Sequence, residues 1–143
     1  MSTTALLELE SLLKKDQIKT DEESLKYWGK DWTTYFDIKS SAIVFPHSTE
    51  DVVKLVHWAR KNKIALIPSG GRTGLSGAAV ATQGEVIVSF DQMNKIKEFN
   101  PVDQTVVVDP GVVTEALQEF AHSKNLFYPV DFAARGSSQM GGN

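Results

Sequence analysis

The residues best equipped for chemistry lie between Pro68 and Val80, in the stretch PSGGRTGLSGAAV. Gly70, Gly71, Gly74 and Gly77 let the backbone turn sharply and approach a ligand without a Cβ in the way. Successive N–H groups in such a turn form a concavity that takes an anion. Ser69, Thr73 and Ser76 add hydroxyl donors, and Arg72 adds a planar cationic fork matched to phosphate. The chemistry indicated is a cradle for phosphate or pyrophosphate. A loop of this composition also serves simply to reverse the chain, and both readings stand until the flanking elements are considered. Two nucleotide motifs are excluded: the spacing is not G-x-G-x-x-G, and no G-K-[ST] follows.

A second glycine- and serine-rich stretch closes the chain, with Gly136, Ser137 and Ser138 followed by Gly141, Gly142 and Asn143. The remaining polar residues point to no catalytic group. His47, His57 and His122 are far apart, without metal-ligand spacing. Arg60, Lys61 and Lys63 read as a solvated helix end that complements the dipole. Asp21, Glu22 and Glu23 read as the acidic start of a helix rather than as paired catalytic carboxylates. Asp31 and Trp32 read as helix-flanking residues, with ordering of the approach to the main domain as the alternative. With no cysteine, disulfides, thiolate metal sites and cysteine nucleophiles are excluded.

The chain has 143 residues, enough for one domain with a real core, and its 41% hydrophobic and 23% charged content is that of a globular protein. A net charge of -3 gives no electrostatic case for nucleic acid. The N-terminal MSTTALLELESLL carries acids inside its apolar pattern, unlike a secretory signal. No apolar run is long enough to span a membrane, and the cytoplasm is the expected compartment.

Several elements must position the loop. Thr3 or Thr4 is expected to cap a first helix with Leu6, Leu9, Leu12 and Leu13 on one face. A short second helix follows Asp21 and ends near Gly29. Residues 1–40 thus read as a helical arm docked on a main domain of residues 41–143. There, Ala42–Phe45 is an apolar strand, and Ser48 with Asp51 starts a helix to about Lys61 that buries Val52, Leu55, Val56 and Ala59. Ile64–Ile67 is the next strand, fully apolar as for a parallel strand covered on both faces. Strand, helix, strand in this spacing is a βαβ unit. The glycine loop then leaves the carboxyl end of a parallel strand, where such sheets place ligands; this favours the phosphate reading. Glu85–Phe90 is a further strand. Ile96–Phe99 and Thr105–Val108 flank a turn and read as a hairpin. A helix from Thr114, its expected cap, to Lys124 buries Leu117, Phe120 and Ala121. Tyr128 to Asn143 reads as loop. An ending inside a glycine-rich stretch leads to the expectation that the chain is the N-terminal part of a longer protein.

With both glycine stretches in hand, the sequence resembles the FAD-linked oxidase family, with its vanillyl-alcohol-oxidase or PCMH-type FAD-binding domain. Within it the chain is most similar to the branch that holds the flavin-binding part of glycolate oxidase, D-lactate dehydrogenase and D-2-hydroxyglutarate dehydrogenase. The resemblance covers roughly residues 31–143. It rests on an ordered series: AIVFP with STEDV from Ala42 to Val52, PSGGRTGLSG from Pro68 to Gly77, DQMNKI from Asp91, VDPGV from Val108, and MGGN from Met140.

The resemblance implies an α+β fold: a βαβ subdomain with a short parallel sheet, followed by part of a second mixed or antiparallel sheet, truncated at its C-terminal side. It implies that Ser69, Gly70, Gly71, Arg72, Thr73, Gly74, Leu75, Ser76 and Gly77 wrap the FAD pyrophosphate. A second contact region maps to Pro110, Gly111, Asp131, Gly136, Ser137, Ser138, Gly141, Gly142 and Asn143. Some relatives link flavin covalently through a histidine just after the paired glycines; Arg72 stands there, so the FAD is expected to be non-covalent. The expected substrate, in a full-length parent, is a small 2-hydroxy acid. Catalytic residues and any metal site are expected outside these residues. Two alternatives remain at this point, a non-catalytic phosphate- or nucleotide-binding module and an inactive fragment. An uncovered sheet edge is expected to favour self-association.

Overall fold

The computed structural model describes residues 1–143. Its elements in order are α1 (Thr3–Leu12), β1 (Ile18–Lys19), α2 (Glu22–Trp28), β2 (Ala42–Val44), α3 (Thr49–Asn62), β3 (Leu66–Ser69), β4 (Val86–Ser89), β5 (Ile96–Asn100), β6 (Thr105–Val108) and α4 (Thr114–Ser123). A short 3-10 turn, Lys15–Gln17, precedes β1, and another, Met140–Gly142, lies at the end.

Four strands form one sheet in the order β1-β2-β4-β3, and β5 and β6 form a separate antiparallel pair. β2 and β3 both run parallel to β4, while β1 pairs antiparallel to β2. Side chains alternate across a strand, so Ala42, Val44, Val86 and Val88 face one side and Ile43, Phe45 and Ile87 the other. The first side packs on α1 and α3 through Leu9, Leu55 and Trp58. The second packs on Ala81, Leu25 and Trp28. Both faces of the inner strands β2 and β4 are therefore covered, as their uninterrupted apolar runs require. The architecture is α+β, a parallel sheet unit followed by a small antiparallel one.

The helices depart from the sequence reading in phase and in caps. α1 is capped by Ser2, whose side chain accepts from the Ala5 amide, and it buries Ala5, Leu9 and Leu13 while Leu12 is exposed. α3 starts as expected, with Ser48 accepting from Asp51 N, but its buried stripe is Leu55, Trp58 and Ala59. Val56 is exposed. Trp58 sets the phase, because its large ring fills the space under α1 and its indole N–H donates to the Ala5 carbonyl at 3.0 Å. Thr114 is the first residue of α4 and not its cap; Val113 holds the cap position without a side-chain bond. β3 begins two residues later than expected and lies at a sheet edge, half-exposed rather than doubly covered. Residues 1–40 dock on the rest and also contribute β1, an edge strand too short to show as a period.

Candidate functional site

β3 and β4 determine where the site lies. Their register sets Ser69 opposite Ser89, so the chain leaves both strands at the same edge of the sheet. The first glycine loop follows β3 and Asp91 follows β4.

From Gly70 through Ser76 no backbone amide donates to a protein acceptor. Unpaired consecutive donors are costly when water is excluded and are suited to an anion. The carbonyls and ends of the loop are tied down instead. Trp32 N donates to the Gly74 carbonyl at 3.2 Å. Gly77 N donates to Asp31 Oδ2 at 3.1 Å. Asp31 and Trp32 therefore anchor the glycine loop and do not merely flank a helix. Gly77 takes φ +76, and a Cβ there would lie 2.3 Å from the Phe36 ring, so glycine serves both the turn and the contact.

The loop faces the C-terminal segment across a cleft of about 330 Å³. Gly70, Gly71, Arg72, Thr73, Gly74 and Ser76 line one side, and Ser138, Gln139, Gly142 and Asn143 the other. The two sides touch at Gly71, where a Cβ would lie 2.0 Å from the Ser137 carbonyl oxygen. Ser69 is fully buried and its hydroxyl has no partner; the Gln139 Oε1 is likewise buried without a donor. Around the far side, Asn143 Nδ2 donates to Thr114 Oγ1 at 2.8 Å and Ser138 Oγ donates to Asn143 Oδ1 at 2.7 Å. Thr114 is fully buried, and its amide and hydroxyl both donate to the Ser138 carbonyl.

Not all the expected residues meet there. Leu75 projects outward, 78% exposed. Gly111 lines a neighbouring cleft with Arg72, Asp91 and Gln139, and Pro110 accepts from Gly141 N at 2.8 Å. Asp131 lies in a separate groove along α4, exposed and paired with Arg135 at 2.8 Å. Gly136 sits beside Glu115 near the same groove.

Arg72 has φ 57, the left-handed region, which costs an ordinary residue about 1–2 kcal/mol. Its guanidinium donates to the Gly70 carbonyl at 3.2 Å and to Asp91 Oδ2 at 3.3 Å, and it lies over the Tyr27 ring. The same carboxylate accepts from Trp28 Nε1 at 2.9 Å and Gln139 Nε2 at 2.8 Å. Burial opposes ionisation of Asp91, but the Trp28 hydrogen bond, the Arg72 charge and the Gln139 amide outweigh it and hold the carboxyl below its ordinary range. With Arg72 matched by Asp91, the cleft offers an anion mainly neutral donors. The sequence reading assigns no role to Asp91 or Gln139. The signal was there in part: Asp91 heads DQMNKI and Gln139 sits inside the second glycine stretch, but neither is a glycine or a free cation.

Comparisons with known proteins bear on the family and the fold. A family model described as FAD binding domain matches residues 40–143. The chain is 58% identical to a D-2-hydroxyglutarate dehydrogenase of Stutzerimonas stutzeri (strain A1501), over 100% of this chain and 31% of that protein. It is 43% identical to a D-2-hydroxyglutarate dehydrogenase of Xanthomonas citri pv. viticola, over 100% of this chain and 30% of that one. Among solved structures, alkyldihydroxyacetonephosphate synthase superposes with a TM-score of 0.89 at 23% identity, over 99% of this chain and 31% of that one. p-Cresol methylhydroxylase superposes with a TM-score of 0.78 at 24% identity, over 94% and 27%. These structural likenesses show the fold. The chain spans about 30% of the length of the curated relatives it matches.

Proposed function

The chain belongs to the FAD binding domain family, and from that premise we propose that its cleft holds the pyrophosphate of FAD. The observation that carries this reading is the run of undonated amides from Gly70 to Ser76 at the end of β3. Ser138 and Asn143 add side-chain polarity around it, and Ser69, fully buried, joins through the family resemblance. Gly71 keeps the two walls close enough to meet one ligand. Pro110, Gly111 and Gly141 shape the adjoining wall, and Asp131, Gly136 and Ser137 join the reading through the family resemblance alone. A dianion held by neutral donors suits a chain of net charge -3.

The protein that carries this segment is proposed to oxidise a small D-2-hydroxy acid of the 2-hydroxyglutarate type, as the relatives' names indicate for those proteins. FAD, when bound, supplies the acceptor for a hydride from the hydroxyl-bearing carbon. The residues of the cleft bind and orient; none of them is assigned as acid, base or nucleophile. The flavin is proposed to be non-covalent, because Arg72 stands where a linking histidine would. Residues 1–40 are proposed as an appended arm docked on the FAD-binding domain of residues 41–143, with limited proteolysis near residue 40 as the check.

No helix is long and apolar enough to cross a membrane. The cytoplasm is proposed as the compartment, against the mitochondrial names of some relatives; cell fractionation tests it. Self-association is proposed through the open edges of β5 and β6, where Val107 is 54% exposed. Size-exclusion with light scattering reads it, and a monodisperse monomer contradicts it.

The cofactor proposal is tested by dialysing the chain against an equimolar mixture of FAD, FMN and NAD and identifying what is retained. FAD enriched over both, and released into the supernatant by acid, is the expected result. Enrichment of NAD overturns the cofactor, and flavin covalently retained after denaturation overturns the mode of attachment.

A further inference from the structure

Asp91 is the point at which three separate segments converge. Trp28 reaches it from α2, Arg72 from the first glycine loop and Gln139 from the C-terminal segment, at 2.9, 3.3 and 2.8 Å. Its own backbone is held as well, since the Asn94 side chain donates to the Asp91 carbonyl at 3.0 Å. A carboxylate only accepts, so each of the three partners must present its N–H to it. For Gln139 this fixes which way the amide points. With Nε2 committed to Asp91, Oε1 is directed toward Gly70, where a Cβ would lie 3.5 Å from it. There Oε1 is buried and has no donor, as is the hydroxyl of Ser69. For Arg72 the same carboxylate holds the side chain of a residue whose backbone is left-handed.

We infer that Asp91 is the positioning residue of the flavin site, setting the spacing of the two glycine-rich walls by holding Arg72 on one and Gln139 on the other. The inference rests on the flavin reading above and extends it to residues that bear neither a glycine nor a free charge. Asp91 does not line the cleft between the two glycine-rich walls. It acts through Arg72 and Gln139, neutralising the first and orienting the second. Because the three bonds share one carboxylate, loss of Asp91 releases all three donors together, whereas loss of Gln139 removes only one of them.

The test is a double-mutant cycle on the full chain, with FAD titrated and followed through backbone amide resonances. Asp91→Asn keeps the size but not the ability to accept from three donors, and it is expected to weaken FAD roughly tenfold. Gln139→Ala alone is expected to weaken it several-fold, and to add little when Asp91 is already Asn, because its amide is then no longer held. Asp91→Glu, which keeps the acceptor and the charge, is expected to recover part of the affinity. Wild-type affinity in Asp91→Asn, or strictly additive losses, overturns the inference. If the wild-type chain binds no FAD, the flavin reading fails, and the positioning role is read without ligand by hydrogen exchange. The Trp28 indole and the Met140 and Gly141 amides are then expected to exchange about tenfold faster in Asp91→Asn, with α3 unchanged. Exchange altered only at Asp91 and its chain neighbours overturns the role.

Discussion

The two glycine-rich segments face each other across one cleft and use glycine in opposite ways. In the first, the amides from Gly70 to Ser76 have no protein acceptor. In the second, Ser137, Ser138, Met140, Gly141, Gly142 and Asn143 all donate to backbone carbonyls within the chain. The first loop keeps its backbone donors for something else and is held by its ends. The second has consumed its donors in folding, and presents side chains and close-packed glycines instead. Similar composition therefore supports two functions, a donor surface and a wall that lets it be approached.

The largest test of that contrast is at the contact between the two walls. A Cβ on Gly71 meets only backbone, the Ser137 carbonyl oxygen at 2.0 Å and Ser138 Cα at 2.9 Å. Gly71→Ala is expected to destabilise the fold by about 2–4 kcal/mol, read by urea denaturation, and to weaken FAD. A loss near zero would mean that the walls are not packed as described.

Acidification comes next. Asp91 and Asp109 are both depressed. Burial raises Asp109, but its ion pair with Lys97 and the Lys95 amide outweigh this. A carboxylate depressed on folding stabilises above its unfolded value of about 3.9 and loses that contribution as pH falls through the folded value. The stability of the wild-type chain should therefore fall below about pH 4. Asp91→Asn should flatten part of that fall. An acid limb identical in the two proteins would contradict the Asp91 geometry.

Arg72 separates backbone strain from side-chain tethering. Arg72→Gly relieves the left-handed residue by about 1 kcal/mol and loses the tether to Asp91, whereas Arg72→Ala loses the tether and keeps the strain. Glycine is expected to be the more stable of the two by roughly 1 kcal/mol. Both should bind FAD more weakly than wild type, most visibly at low salt.

The smallest effect is expected at Gly74, where a Cβ meets nothing within 4 Å and φ is not positive. Gly74→Ala should change stability by no more than about 0.5 kcal/mol. Set beside Gly71→Ala, it distinguishes the glycine that packs from the glycine that only opens the loop.

Much of the molecule is legible in the residues alone. The strand–helix–strand order, the Ser48 cap, the hairpin and the position of the loop after a parallel strand follow from period and punctuation, which are local properties. What is not legible is tertiary. The phase of α3 turns on where the Trp58 ring finds room under α1, and Thr114 meets Asn143 only because the chain returns to it across the fold. β1 is two residues long and carries no pattern of its own. Asp31 and Asp91 read as ordinary polar residues, and only the folded chain brings one to the Gly77 amide and the other to Arg72 and Gln139. Periodicity reports which face is buried; it does not report which carboxylate holds a loop.

Whether the first loop is the donor surface is decided by titrating FAD into the uniformly ¹⁵N-labelled chain and following each amide. The Gly70 to Ser76 resonances are expected to move together and saturate, while the Met140 and Gly141 amides, already bonded to Val112 and Pro110, move far less. Shifts centred on α4 and the Asp131 groove, or none at the first loop, would contradict it.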